Sequence, residues 1–156
     1  MVNIKDGDTK PVTVKIALSF VSVENAIENL KAEVGDKNLN KVFEEGSTKW
    51  ENLLSKIQVK GGNDQQNVMF YSMLYRSFLW PALRSDVNGQ FTDEAGKVRK
   101  ENYHYYTLPS LWDDYRNKLV LLSIFSPDET SDIISSMINE GEIKGFMPTF
   151  FHGDHA

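Results

Sequence analysis

The stretch DQQNVMFYSMLYRSFLWP, residues 64–81, decides the fold class. Val68, Phe70, Tyr71, Leu74, Tyr75, Phe78 and Leu79 recur at helical spacing and cover more than one stripe, which predicts a helix over 64–80 packed on several sides and ended by Pro81. On its N-terminal side, Leu39, Val42, Phe43, Trp50, Leu53, Leu54 and Ile57 recur at three and four residues. They predict a helix from after Asn38 to about Lys56, with Gly46 weakening its middle by about 1 kcal/mol relative to alanine. Trp50 and Trp80 read as core residues. On the C-terminal side, Ser110 can cap a helix over 111–126 whose Leu119, Leu121, Leu122, Ile124 and Phe125 are apolar nearly all round. After Pro127, a helix over 128–141 places Ile133, Ile134, Met137 and Ile138 inward, with Gly141 or Gly145 to stop it. The fold class is mainly α, and its helix–turn–helix rhythm is compatible with a helical toroid.

The beginning of the chain reads differently. Val12, Val14, Ile16, Leu18 and Phe20 alternate with smaller or polar residues, the period of a strand with one buried face. A lone strand has no ladder, so residues 1–22 are expected to be the last edge of a sheet whose other strands precede Met1. Ser22 can cap a linker helix over 23–34, with Ala26, Ile27 and Leu30 on one face and Gly35 closing it. Residues 84–106, with turns at Asn88-Gly89 and Ala95-Gly96, read as an irregular or hairpin-rich insertion. Asp86, Asn88, Asp93 and Glu94 lack the spacing of a calcium loop and read as a solvated loop. His104 in NYHYY reads as a loop or strand residue among tyrosines.

Composition narrows the function. The chain has 156 residues, 40% of them hydrophobic and 12% aromatic, and could bury a core of its own. Its 17 basic and 22 acidic residues give a net charge of −5 with no basic run, which argues against nucleic acid as a partner. No apolar run approaches the roughly 18 residues of a membrane span. With no cysteine there is neither a disulfide framework nor a thiolate zinc site, although the compartment stays open. Serine-hydrolase, zincin, P-loop and dinucleotide motifs are all missing. Carboxylates remain as the available catalytic type, too many to single out a pair.

Two clusters can carry chemistry. In LWDDYR (111–116), two acids at a helix N-terminus are favoured by the dipole, and an Asp–Arg pair at i,i+3 is the plain structural reading. The functional reading is a sugar subsite: Trp112 packs on a C–H face, Asp113 accepts hydroxyl protons and Arg116 donates. In HGDHA, His152, Asp154 and His155 lie within four residues and match no zinc signature. They could supply donors and acceptors to substrate hydroxyls, or Asp154 could cap a helix.

In order along the chain, SFVS (19–22), NAIENLKAE (25–33), KWENLLSKIQV (49–59), MFYSMLYRSFLWP (69–81), FTDEAGKV (91–98), LWDDYRNKLVLL (111–122) and GFMPTFFHGDHA (145–156) resemble glycoside hydrolase family 92, the exo-acting α-mannosidases. The resemblance implies a longer parent with an N-terminal β-sandwich, a linker helix and an (α/α)6 toroid around a calcium-dependent, inverting site. Residues 1–22 would end the sandwich, 23–37 would be the linker helix, and 38–156 would open the toroid. It implies a mannose-containing glycan as substrate, a secreted or periplasmic setting, and the missing remainder of the polypeptide as structural partner. Catalytic acid, base and most Ca2+ ligands would lie beyond this chain. Trp112, Asp113 and Arg116 match the family's pattern, while Asp114 stands where the family usually has threonine. A non-catalytic carbohydrate-binding or scaffold module using the same cluster is the competing expectation.

Overall fold

A computed structural model describes residues 12–147. The order is α1 (Val23–Glu33), α2 (Leu39–Leu54), α3 (Asp64–Ser77), β1 (Gln90–Thr92), β2 (Val98–Lys100), α4 (Leu111–Asp114), α5 (Lys118–Phe125) and α6 (Pro127–Lys144), a mainly helical architecture.

The first three helix starts carry side-chain caps. Ser22 Oγ accepts from the Asn25 amide at 3.1 Å, and Asn38 Oδ1 accepts from that of Lys41 at 2.9 Å. At α3 the cap is reciprocal: Asn63 Oδ1 accepts from Gln66 N at 3.0 Å while Gln66 Oε1 accepts from Asn63 N at 2.9 Å. Helix α2 runs unbroken through Gly46. Helix α3 ends at Ser77, three residues before the expected Trp80, as the Phe78 and Leu79 amides tighten onto Tyr75 and Arg76 carbonyls. Helix α6 begins on Pro127 and runs to Lys144, three residues beyond the expected 141, and is stopped by the second of the two expected glycines, Gly145, at a left-handed φ of 76°.

Three expectations change. The helix expected over 111–126 is two pieces, because Asn117 leaves the helical region at φ −120°, ψ −61° and α5 restarts after it. Asparagine suits such a break, since its side chain competes with the helical backbone. Residues 12–20 join no strand ladder among the described residues, and Ile16 and Leu18 are each 77% exposed. Helix α1 buries Asn25 and Asn29 and leaves Ile27 exposed, because the surface it meets is polar.

The core lies where α5 packs on α6: Leu108, Leu122, Ile133 and Met137, with Phe78, Tyr106 and Leu111 against them. Trp50 is half-buried, 4.5 Å from the Tyr75 ring, and Trp80 is partly exposed with its indole N–H donating to Leu108 O at 3.1 Å.

Of the two forms expected for 84–106, irregular or hairpin-rich, the structure shows the second, a hairpin module. β1 and β2 pair antiparallel with Phe91 opposite Arg99, and Phe91 stacks at 4.3 Å on the buried Tyr105. The module closes at its base, where Thr107 N donates to Ala82 O and Ala82 N to Thr107 Oγ1, both at 2.8 Å.

Candidate functional site

The base of that module leads directly into LWDDYR. Leu108, buried and held by Trp80, fixes the approach, and Leu111 anchors the first turn in the core. The Asp113 and Asp114 amides donate to Ser110 O at 3.0 and 2.8 Å. The Ser110 side chain does not cap the helix as expected. Its hydroxyl donates to Asp113 Oδ2 at 2.9 Å and orients that carboxylate.

The plain reading of this stretch, an Asp113–Arg116 pair, does not form. Arg116 lies over the ring of Tyr115, 5.2 Å from its centroid, with Nε against the phenol oxygen. Asp114, by contrast, faces Lys118 at 3.3 Å and is held back on the helix. Trp112 is 76% exposed, and Asp113 and Arg116 are exposed beside it. One short turn therefore presents an aromatic face, an oriented acceptor and a planar donor, a set suited to a polyhydroxyl ring. His152, Asp154 and His155 lie outside the described residues.

Sequence reasoning missed three buried carboxylates. Asp86 and Asp93, expected in a solvated loop, are both buried. Burial pushes the Asp86 carboxyl up, and hydrogen bonds from Ser19, Asn25 and Asn29 outweigh it and hold the group below its ordinary range. For Asp93 burial is likewise outweighed, by Arg99 and by the Lys97 and Ala95 amides. A signal existed: DVNG and DEAG each put aspartate first and glycine fourth in a turn. Gly89 N donates to Asp86 O and Gly96 N to Asp93 O, at 2.8 and 2.9 Å. Glu140 is fully buried and its carboxyl is raised by burial, with the Lys144 ammonium acting the other way. His104 is exposed, Nδ1 3.0 Å from Asp132.

Residues 25–155 match the model of the glycosyl hydrolase family 92 catalytic domain. The chain belongs to this family. Among solved structures of family 92, an inverting mannosidase of Bacteroides thetaiotaomicron (BT2199) superposes with a TM-score of 0.79 at 30% identity, over 88% of this chain and 19% of that one. An α-mannosidase of the same organism (BT3965) gives 0.74 at 29% identity, over 80% and 17%. A third member, ccman5, gives 0.75 at 24% identity, over 81% and 18%, and supports the fold alone. The family 92 chain thus spans less than a fifth of each structure. No curated protein sequence matches it.

Proposed function

We propose that the full-length protein carrying this chain releases terminal mannose from α-mannosides with inversion, and that Trp112, Asp113 and Arg116 shape the glycone subsite, which holds that terminal mannose. Family membership supports a glycosidase acting on glycans, and one solved relative is described as an inverting mannosidase. The observation that carries the residue assignment is the exposed turn at 112–116, whose carboxylate is oriented by Ser110 and whose guanidinium is free of it. Trp112 packs against the sugar's C–H face, Asp113 accepts from its hydroxyls and Arg116 donates. His152, Asp154 and His155 are proposed to line the same subsite.

Inversion needs an acid that protonates the leaving oxygen and a base that activates water, carboxyl groups about 6.5–9.5 Å apart. Both are assigned to polypeptide beyond this chain. Calcium is proposed for the parent on the family resemblance, and the described residues hold no cluster of three or more acidic or histidine side chains that could bind it. Asp86 and Asp93 do not fit the role, because their oxygens already accept from donors of this chain. For the architecture, we propose the opening helices of an (α/α)6 toroid over 38–156, a linker helix over 23–37 and the end of a β-sandwich over 1–22. Exposed Val68, Met69 and Met73 on α3, and Ile134 and Ile138 on α6, support it, as apolar surface that further helices would cover.

The test is hydrolysis of an aryl α-mannoside by the full-length protein, with the anomer first released followed by NMR. β-Mannose as first product, absent with the 156-residue chain alone, is expected. Retained configuration, turnover by the isolated chain, or mannose binding without turnover in the full-length protein would overturn the reading.

A further inference from the structure

A polar interface ties residues 18–29 to the hairpin module, and Asp86 is its centre. Asp86 Oδ2 accepts from Ser19 Oγ at 2.7 Å and from Asn25 Nδ2 at 2.8 Å, and Oδ1 accepts from Asn29 Nδ2 at 2.7 Å. The donors are themselves fixed. Asn29 Nδ2 also donates to Leu18 O at 2.9 Å while its Oδ1 accepts from Val87 N at 3.0 Å, and Asn25 Nδ2 also donates to Gln90 Oε1 at 3.0 Å. Around this centre Thr92 Oγ1 donates to Phe20 O at 2.7 Å, and the Arg84 guanidinium sits 4.6 Å over the Phe20 ring.

Burying a carboxylate without a cation is costly, and packing alone would be served by apolar residues. What the three donors add is direction, since both asparagines are committed to a second partner and Ser19 Oγ is itself fixed by accepting from the Val21 and Ser22 amides at 2.9 and 3.3 Å. The module they hold continues into the candidate site: Arg84 N and Ser85 N donate to Tyr105 O at 2.8 and 3.2 Å, and Thr107 N closes on Ala82 O. Leu108 and Ser110 follow directly.

We propose that Asp86 is a positioning residue: by collecting Ser19, Asn25 and Asn29 it sets the hairpin module, and with it the Trp112–Asp113–Arg116 turn, against residues 18–29. Its kinetic consequence rests on the mannosidase reading; its structural consequence does not. A chain of contacts is a route for coupling, and only a measured response shows that it is used.

The experiment uses the full-length protein with Asp86→Asn and the double variant Asp86→Asn/Asn25→Asp. In the single variant the new amide meets a committed donor. In the double variant that amide donates to the new carboxylate, and Gln90 must turn its own amide toward it. The Ser19 hydroxyl, whose oxygen already accepts from the Val21 and Ser22 amides, loses its acceptor, so the double variant repairs the Asn25 contact and not the Ser19 one. Asp86→Asn is expected to lower kcat/KM on the aryl α-mannoside by about 10- to 100-fold, the size of effect of a small misplacement. It should also speed hydrogen exchange at the Val87, Asp113 and Asp114 amides, with the double variant restoring part of both losses. Unchanged exchange at Asp113 and Asp114, unchanged kcat/KM in an active enzyme, or losses that the double variant does not reduce at all would overturn the proposal. If the unaltered protein has no mannosidase activity, the functional reading fails, and faster exchange at Asp113 and Asp114 in Asp86→Asn still supports the positioning role. Should Asp86→Asn not fold, Ser19→Ala removes one donor and is expected to give smaller changes of the same sign; none would overturn the proposal.

Discussion

Asp113 belongs to Ser110 and not to Arg116: the serine hydroxyl donates to Oδ2 at 2.9 Å while the guanidinium turns onto the Tyr115 ring. The carboxylate is thus oriented but not neutralised by a neighbouring cation. If it accepts sugar hydroxyls whose hydrogen bonds strengthen in the transition state, Asp113→Ala in the full-length protein should cut kcat/KM by about 10²–10³-fold. Ser110→Ala, which leaves the carboxylate but frees its rotation, should cost about tenfold. Asp113 is exposed and Ser110 half-buried, so stability should change by no more than about 0.5 kcal/mol for the first and about 1 kcal/mol for the second. Steady-state kinetics on an aryl α-mannoside reads both, and an unchanged Asp113→Ala value removes that residue from the subsite.

Asp93 carries the second prediction. Its side chain is fully buried, accepts from the Ala95 and Lys97 amides at 2.9 Å each, and pairs with Arg99 across the turn. Asp93→Ala leaves two amide donors and a guanidinium short of an acceptor and should destabilise the purified chain by about 2–4 kcal/mol in urea unfolding. Folding depresses the carboxyls of Asp93 and Asp86, so the unfolded chain binds protons more readily than the folded one. Their contribution is complete above the unfolded value of about 3.9 and is lost as pH falls through the lower folded values. Acid unfolding of Asp93→Ala should accordingly be shallower over that range.

Helices were legible where local signals mark them: the cap at Ser22, the start after Asn38, Pro81 beyond α3, and Gly145, one of two glycines expected to close α6. Family membership was legible too, from ordered motifs such as FYSMLYR and LWDDYR. What periodicity could not show was which face meets what. Helix α1 has an apolar stripe at Ala26, Ile27 and Leu30, yet Asn25 and Asn29 go inward, because their partner is Asp86, some 57 to 61 residues away. The break at Asn117 and the burial of Asp86 and Asp93 are likewise set by contacts that local sequence does not encode. At the candidate site the residue types were readable, whereas the choice of Ser110 over Arg116 as Asp113's partner depended on three-dimensional placement.

Glu140 should behave opposite to the two aspartates. It is fully buried on α6, and although the Lys144 ammonium lies against Oε1, neither carboxyl oxygen has a well-aligned hydrogen bond. Burial raises its pKa, so the folded chain binds the proton more readily. Stability is then greatest below the unfolded value and declines as pH rises through the folded one. Glu140→Gln keeps the shape and removes the charge, and should raise stability near pH 7 by about 1 kcal/mol while flattening that decline. Urea unfolding of both proteins between pH 4 and pH 8 checks it. A less stable Gln variant at neutral pH would mean that the Lys144 pair outweighs the desolvation.

Neighbouring residues on α6 separate the core of this chain from the surface assigned to the rest of the protein. Ile133 is 3% exposed among Leu108, Leu122 and Met137, whereas Ile134 is 50% exposed. In the purified 156-residue chain, Ile133→Ala should cost about 2–5 kcal/mol by removing methylenes from a packed site. Ile134→Ala should cost within about 0.5 kcal/mol, as surface substitutions do. In the full-length protein the first figure should hardly change, because the contacts of Ile133 are already made. The second should rise to about 2 kcal/mol if further helices of a toroid cover this face, since the lost methylenes would then leave buried surface. An equally small Ile134→Ala effect in both proteins would place that face of α6 in solvent and count against the toroid.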